Sequence, residues 1–487
     1  MKPFTWLAAL ASVTTLSVGC DEHAELTATH TRPMNAEGAT ATPSVSGTMS
    51  LTPTARRTTH TRVVWVQDAG DGADYNSGRP QQTLMGFDNG DGRGERSILG
   101  TVSNYAKPLI TPGGDRVVFS NRQDQSIYIV NWEGTGLRRL TDGFALEVWQ
   151  DPATGVEWVY SGLDEANTRA TSYHTIRRHR LDEPSDGELV WDEAPVSEDN
   201  FQLSFDGRRT SGLFPWPHVG LADLTNHEWT KLGEGCWTAL APHGPELAWY
   251  FDGSHRNLTL VELTSDARWQ VPINAAPGID GYEVYHPRWS NHPRFLTMTG
   301  PYTTGCTSAR CGDGSVEIYL GQFAPDYRTV STWTRITTNE RADFYPDAWI
   351  DPSDTGPTAD AAILPAATAA DVADASRRVV VEARVRNAAP MPTPVSIAPY
   401  QEGLLALDYE VLGVIEGSYS DTTIVAAHWV INAGEALPNA ERPIDSTHRL
   451  TLELYDDHTE LEGRRLVMDV DDVTLPLYYD VDSRPDP

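Results

Sequence analysis

The sequence predicts an all-β protein, a six-bladed β-propeller followed by a small antiparallel β-barrel or sandwich, and three observations predict it. Between Lys107 and Ile350 one phrase recurs: an apolar strand, a tight turn of Gly, Pro and Asp, a second strand, and a strand with a Leu-Thr-like ending. Its turns begin at Thr111, Asp151, Ser204, Ala241, Ser290 and Asp351, roughly 40 to 60 residues apart, which is the spacing of propeller blades. The strands that follow alternate β-branched and aromatic residues, as in Asn257-Leu-Thr-Leu-Val-Glu-Leu263 and Val316-Glu-Ile-Tyr-Leu-Gly-Gln-Phe323. Beyond an Ala-, Thr-, Asp- and Pro-rich stretch, five more period-two strands form a second unit.

In chain order, residues 1–20 hold one basic residue, a short apolar core and small residues before a cysteine. That is a secretory signal, too short and too interrupted to span a bilayer. Ser17-Val-Gly-Cys20 resembles the bacterial lipoprotein cleavage box, with Ser17 where the box prefers Leu. The resemblance implies a lipid on Cys20, an anchor that does not span. Asp21 resembles the residue that keeps some such lipoproteins at the inner membrane. Residues 21–60 are rich in Thr, Ala, Ser and Pro without apolar period, the composition of a disordered tether. The propeller is expected over 61–354. Its last phrase supplies Asp343–Ile350 without a second strand, and Arg62-Val-Val-Trp-Val-Gln67 lacks a first, so the two ends are expected to complete one blade and leave no open edge. Residues 355–376 read as a linker and 377–487 as the small barrel.

Leu109–Ser120 and Ile127–Thr141 are similar to the TolB-type propeller repeat, Ser-Pro-Asp-Gly, an apolar strand, then a Tyr-x-Val-Asp-like strand ending in Leu-Thr. Val63–Gly72, Leu84–Arg96, Glu283–Phe295 and Arg341–Ile350 resemble a group of uncharacterised bacterial exported propeller proteins. The likeness covers roughly residues 60 to 350 and implies fold and export, with no catalytic residue to carry over. In the second unit, Ile397–Val411, Val425–Ile431 and Leu475–Val481 resemble an oligonucleotide- or oligosaccharide-binding-type barrel of exported proteins.

Charge limits the partners. The chain has 68 acidic against 37 basic residues, a net charge of −31, which repels polyanions. From Arg377 onward there are 9 Arg and no Lys against 20 acids, so nucleic acid is excluded as a ligand of the barrel as well. A protein or polysaccharide partner in the cell envelope remains.

The six turns define a column four residues upstream: Lys107, Glu147, Asn200, Trp237, His286 and Asp347. Five of the six are polar or charged and are expected at the mouth of the central channel, where propellers bind ligands. They equally suit a ring of neighbours that satisfy one another. His286-Pro-Arg-Trp-Ser-Asn-His292 adds two imidazoles and Arg288. Exported propeller lyases of the oligogalacturonate type hold a metal by histidine at such a mouth, so His286 and His292 are candidate ligands of a divalent metal. Against this, six residues with Pro287 and a turn between them place the two rings on different loops or faces. No Gly-x-Ser-x-Gly, His-Glu-x-x-His, Walker or dinucleotide motif is present, so catalysis would rest on the channel alone.

In an oxidising compartment Cys306 and Cys311 are expected to close a loop by disulfide, leaving Cys236 as a small buried hydrophobe. Two acidic runs, Asp68–Asp74 and Asp88–Glu95, have the composition of calcium loops, but the alternation of oxygen ligands is broken, and hairpin turn chemistry is favoured. Most of the fifteen tryptophans fall in strand patterns, with Trp216 a candidate exposed platform. His428, alternating with Trp429 in a barrel strand, is a further ligand candidate. The favoured reading is an exported, lipid-anchored binding or scaffold protein with no cofactor. The alternative is a metal-assisted polysaccharide lyase or hydrolase in which Lys107 or Arg288 neutralises a uronate.

Overall fold

The computed structural model describes residues 59–69, 81–163, 172–184, 187–214, 217–279, 281–302, 316–353, 378–386, 391–398, 400–438, 440–468, 470 and 475–485. Cys20, the tether to residue 58, most of the run Asp68–Asp74, Trp216, Cys306, Cys311 and the linker lie outside the described residues.

Six four-stranded antiparallel sheets make the ring. Blade 1 runs Tyr105–Ile110, Arg116–Asn121, Ser126–Asn131 and Arg138–Asp142; blades 2 to 5 have their innermost strands at Phe144–Gln150, Gln202–Leu203, Cys236–Leu240 and Glu283–Trp289. Blade 6 is built from both ends: Asp343–Ile350 is innermost and pairs antiparallel with Thr61–Asp68, then Gln82–Asp88 and Arg96–Ser103. The closure is pinned by Arg62, which bonds Asp88 at 2.8 Å and lies over the rings of Trp132 and Trp349.

The Gly-Pro-Asp turns explain the repeat. In Thr111-Pro-Gly-Gly-Asp115 the Gly114 amide donates to the Thr111 carbonyl, and φ of +76° at Gly114 is the left-handed geometry that glycine adopts without strain. The missing side chain also makes room: Trp349 of blade 6 lies where a Cβ would be and donates to the Pro112 carbonyl at 2.9 Å. Blade 2 repeats the device on blade 3, with Trp149 over Gly207 and bonded to the Phe205 carbonyl. These tryptophans are blade packing, as their strand positions predict.

Asp88 and Asp91 are taken by His60, Arg62, Arg93 and backbone amides, which leaves turn and ion-pair chemistry where calcium was the alternative. Cys236 differs from expectation: it is disulfide-bonded rather than a leftover thiol, and its partner lies outside the described residues.

The second unit is a closed five-stranded barrel of Arg378–Val385, Gly403–Glu416, Thr423–Asn432, Thr447–Leu454 and Leu477–Asp480. Four of these are strands the period-two pattern predicts. The fifth strand, predicted over Arg465–Val470, forms at Arg465–Met468 and lies beside the ring, parallel to the first residues of Gly403–Glu416, and Leu477–Asp480 closes the ring instead. His428 is buried in the barrel wall, its Nε2 at 2.9 Å from the Ala440 carbonyl, and burial pushes its pKa down to about 3. It is a core histidine.

Propeller and barrel are not separate beads. One apolar core runs from Val64, Trp249 and Met298 of the blades into Val381, Leu405 and Leu452 of the barrel. Gly253, in a turn of blade 4, bonds Glu462 and Leu466 through its backbone, and a Cβ there would stand 1.8 Å from the Arg464 carbonyl oxygen.

Candidate functional site: the axial recess

Each inner strand that carries a column residue is bulged. The pairing of Tyr105–Ile110 slips between Ala106 and Leu109, that of Cys236–Leu240 between Cys236 and Thr238, and that of Glu283–Trp289 between Tyr285 and Arg288. The residues in these slips, Lys107, Trp237 and His286, have φ of +43°, +26° and +51°. Such values are rare outside glycine and persist only where surrounding structure imposes them, which is a recurrent property of ligand sites. In blade 6 the slip falls between Phe344 and Asp347, so the bulged residue, with φ of +51°, is Tyr345. The inner strand of blade 6 continues two residues further before its turn, so counting back four places reaches Asp347 instead. A signal for Tyr345 was present: Lys107, His286 and Tyr345 are each followed by proline.

Lys107, Trp237, His286, Arg288 and Tyr345 line one recess on the axis together with Asp199. Its floor is a bolt of charge. Arg288 of blade 5 reaches Glu147 of blade 2, on the opposite side of the ring, at 2.9 and 3.0 Å, and donates through Nε to Asp347 of blade 6 at 3.0 Å. Burial raises the pKa of both carboxyl groups, and Arg288 pulls them back down. Arg288 is thus committed to two carboxylates, and its expected role of neutralising a uronate is not available without breaking them. Asp347 also accepts from the Ile110 amide at 2.8 Å, and Asn200 accepts from the Thr238 amide at 2.7 Å. Both column residues therefore staple one blade to the next.

Above the floor, the Lys107 ammonium donates to the Glu198 carbonyl. Burial holds its pKa down at about 8, against the pull of Asp199, so it is mostly charged at neutral pH. Burial also pushes His286 down to about 4, leaving a neutral imidazole. The His286 ring lies 4.2 Å from that of Tyr345 and 5.7 Å from that of Trp237. Glu198 pairs with Arg122 and accepts from Tyr173. Glu198 and Asp199 were missed in the sequence although they stand directly before Asn200, because they belong to the loop that enters blade 3 and not to a repeated strand.

His292 is not part of this recess. It sits in the following turn, with ring contacts to His243 and Phe295, and its Nδ1 accepts from the Arg294 amide. Among the described residues, the one trio of His, Cys, Asp or Glu whose ligand atoms lie within 4.8 Å of one another is Asp192, Glu193 and His227, exposed on the outer rims of blades 2 and 3. The recess itself offers about 20 Å³ to a water-sized centre, room for about one water molecule. A pyranose ring does not enter it in this conformation.

No protein-family profile matches the chain, and no curated protein sequence matches it. Among solved structures it is similar to TolB from Acinetobacter baumannii, with 13% identity, a TM-score of 0.41, and coverage of 59% of this chain and 66% of that one. It is also similar to a putative TolB from Agrobacterium tumefaciens, at 11% identity and a TM-score of 0.37, covering 59% of this chain and 91% of that one. An oligogalacturonate lyase in complex with manganese matches at 14% identity and a TM-score of 0.26, over 39% and 53% of the two chains. The chain spans just under two thirds of the Acinetobacter structure. The six-bladed propeller rests on the six four-stranded sheets themselves and not on these matches. No helix among the described residues is long and apolar enough to cross a membrane.

Proposed function

We propose that this is an exported, lipid-anchored binding or scaffold protein of the cell envelope that engages a partner through the propeller face around the axial recess. The observation that carries this reading is the set of bulged residues, Lys107, Trp237, His286 and Tyr345, held at strained backbone angles around one small recess. Strain concentrated around one recess on the axis suits recognition of a partner's surface. A protein partner is favoured over a glycan because the recess is too small for a sugar ring. The anchor rests on Cys20 and its preceding residues. Cys20→Ser is expected to move the protein from the membrane to the soluble fraction of the envelope.

A photo-crosslinking residue at Tyr345 or Trp237, in cells of the source organism, tests the recess. The expected result is a discrete crosslinked species absent when the crosslinker sits at Gly113 on the opposite, turn-bearing face. Equal crosslinking from both faces would sink the reading. The metal-assisted lyase alternative would need His286 to recruit ligands other than His292. Stoichiometric manganese or zinc in the purified protein, lost in His286→Ala, together with cleavage of polygalacturonate, would replace the scaffold reading with that one.

A further inference from the structure

The wall of the recess is held from behind by the barrel. Trp237 packs against Phe251, His255 and Tyr285, with ring centroids 5.4 to 6.0 Å away. His255 is fully buried at φ of +55°, and its Nδ1 lies 2.6 Å from the Tyr285 hydroxyl and 3.4 Å from the Glu283 carboxylate. From the barrel side, Tyr400 places its hydroxyl 3.1 Å from His255 Nε2, and Arg465 donates to the other oxygen of Glu283 at 2.5 Å. Arg465 has no solvent exposure, and its Nη1 donates to the Gly253 and Leu466 carbonyls. Glu283 opens the same strand that carries His286 and Arg288. The chain of contacts therefore runs from Arg465 and Tyr400, through Glu283, His255 and Tyr285, to Trp237 and His286 at the recess.

We propose that the barrel is a latch on the recess: docking of Arg465 and Tyr400 fixes the inner strands of blades 4 and 5 in their bulged form, and acidification releases it. The functional consequence rests on the recess being the binding site, whereas the latch itself does not. The groups that face His255 are Glu283 and Tyr285 from blade 5, Asp252 from its own turn, and Arg465 and Tyr400 from the barrel, and Arg256, the next residue, interacts with the same Glu283, Asp252 and Arg465. Burial lowers the pKa of His255 below 6.5, so the docked form resists a proton that the released form takes up. Docking is thus at full strength above that value and weakens as pH falls through it. Glu283, buried but held down at about 2 chiefly by Arg465, adds a second loss as pH falls from 4.5 toward 2.

Hydrogen–deuterium exchange on the full chain tests the latch without any ligand. Rates corrected for the intrinsic pH effect are compared for wild type from about pH 7.5 to about pH 4.5, and for Arg465→Met and Tyr400→Phe at neutral pH. The expected result is a joint loss of protection, about tenfold or more, in residues 462–468, 252–256, 236–240 and 283–289, with 157–163 of blade 2 unchanged. The inference is overturned if 462–468 opens while 236–240 and 283–289 keep their protection, or if none opens on acidification. Should Arg465→Met unfold blade 2 as well, the wild-type pH series and Tyr400→Phe decide by the same comparison. Failure of the recess as a binding site would show in the crosslinking and leave this exchange result untouched.

Discussion

Two buried arginines hold this molecule together in different ways. Arg288 lies on the propeller axis and shares its guanidinium between Glu147 and Asp347, three bonds that tie blade 5 to blades 2 and 6. Arg465 lies between propeller and barrel and meets a single carboxylate, Glu283, with two backbone carbonyls as its other acceptors. A buried ion pair seldom adds net stability over an apolar replacement, but removing one partner leaves the other charge stranded. The axial bolt would strand two carboxylates and the interface pair one. The ring is therefore expected to depend on its arginine more than the docking does, and docking becomes the step that conditions can reverse.

The largest expected effect follows from that asymmetry. Arg288→Met should destabilise the propeller by about 3–5 kcal/mol, read from urea unfolding, because Glu147 and Asp347 remain buried without the cation they are bonded to. A loss below about 1 kcal/mol would mean that the bolt does not hold the ring. Next, Gly253→Ala should cost about 1–3 kcal/mol, since the new Cβ meets the Arg464 backbone and neither chain can yield. The loss should appear in barrel docking, while Gly100→Ala, where a Cβ meets nothing within 4 Å, stays silent. Arg62→Ala should loosen the joint between the two ends of the chain by about 1 kcal/mol, through the lost Asp88 pair and the two indole contacts. It should leave the barrel transition where it is.

The smallest effect is a slope. Burial raises Asp343 to about 7, despite bonds from Trp65, Gln67 and Asn339 that favour its charged form. With a folded pKa above the ordinary 3.8, its contribution is fully present below about 4 and is lost as pH rises toward 7. Asp343→Asn should flatten the pH dependence of propeller stability across that window. An unchanged slope would show that the three donors keep Asp343 ionised. This trend opposes that of His255 and Glu283, so the ring should tighten at the acid side while the barrel interface loosens.

How much of this was legible depends on whether a feature belongs to the repeat. The six blades, the closure through Thr61–Asp68 and Asp343–Ile350, and the meeting of Lys107, Trp237, His286 and Arg288 all follow from a phrase that recurs with its turn. Tyr345 was displaced by two places because the inner strand of blade 6 is longer before its turn, although the proline after it marks the bulge. Glu198 and Asp199 come from an entry loop, where no periodicity signals position. In the barrel, Leu477–Asp480 is too short for an alternation to stand out, and Arg465–Met468 has the pattern of a ring strand but pairs outside it.

The sequence by itself determined that the chain is an all-β ring with a small barrel after it, because strand alternation and turn residues are local properties. It also pointed to some of the positions at the axis, Lys107, Trp237 and His286, because those blades repeat the same path inward. Only the tertiary structure decided what those positions do. Arg288 is consumed by Glu147, 141 residues away, and His286 and His292 part company across one turn. The Arg465–Glu283–His255 contact joins two units with no shared repeat, so no pattern in the chain announces it. Pairing of charges depends on distance in space, and a sequence lists distance only along the chain.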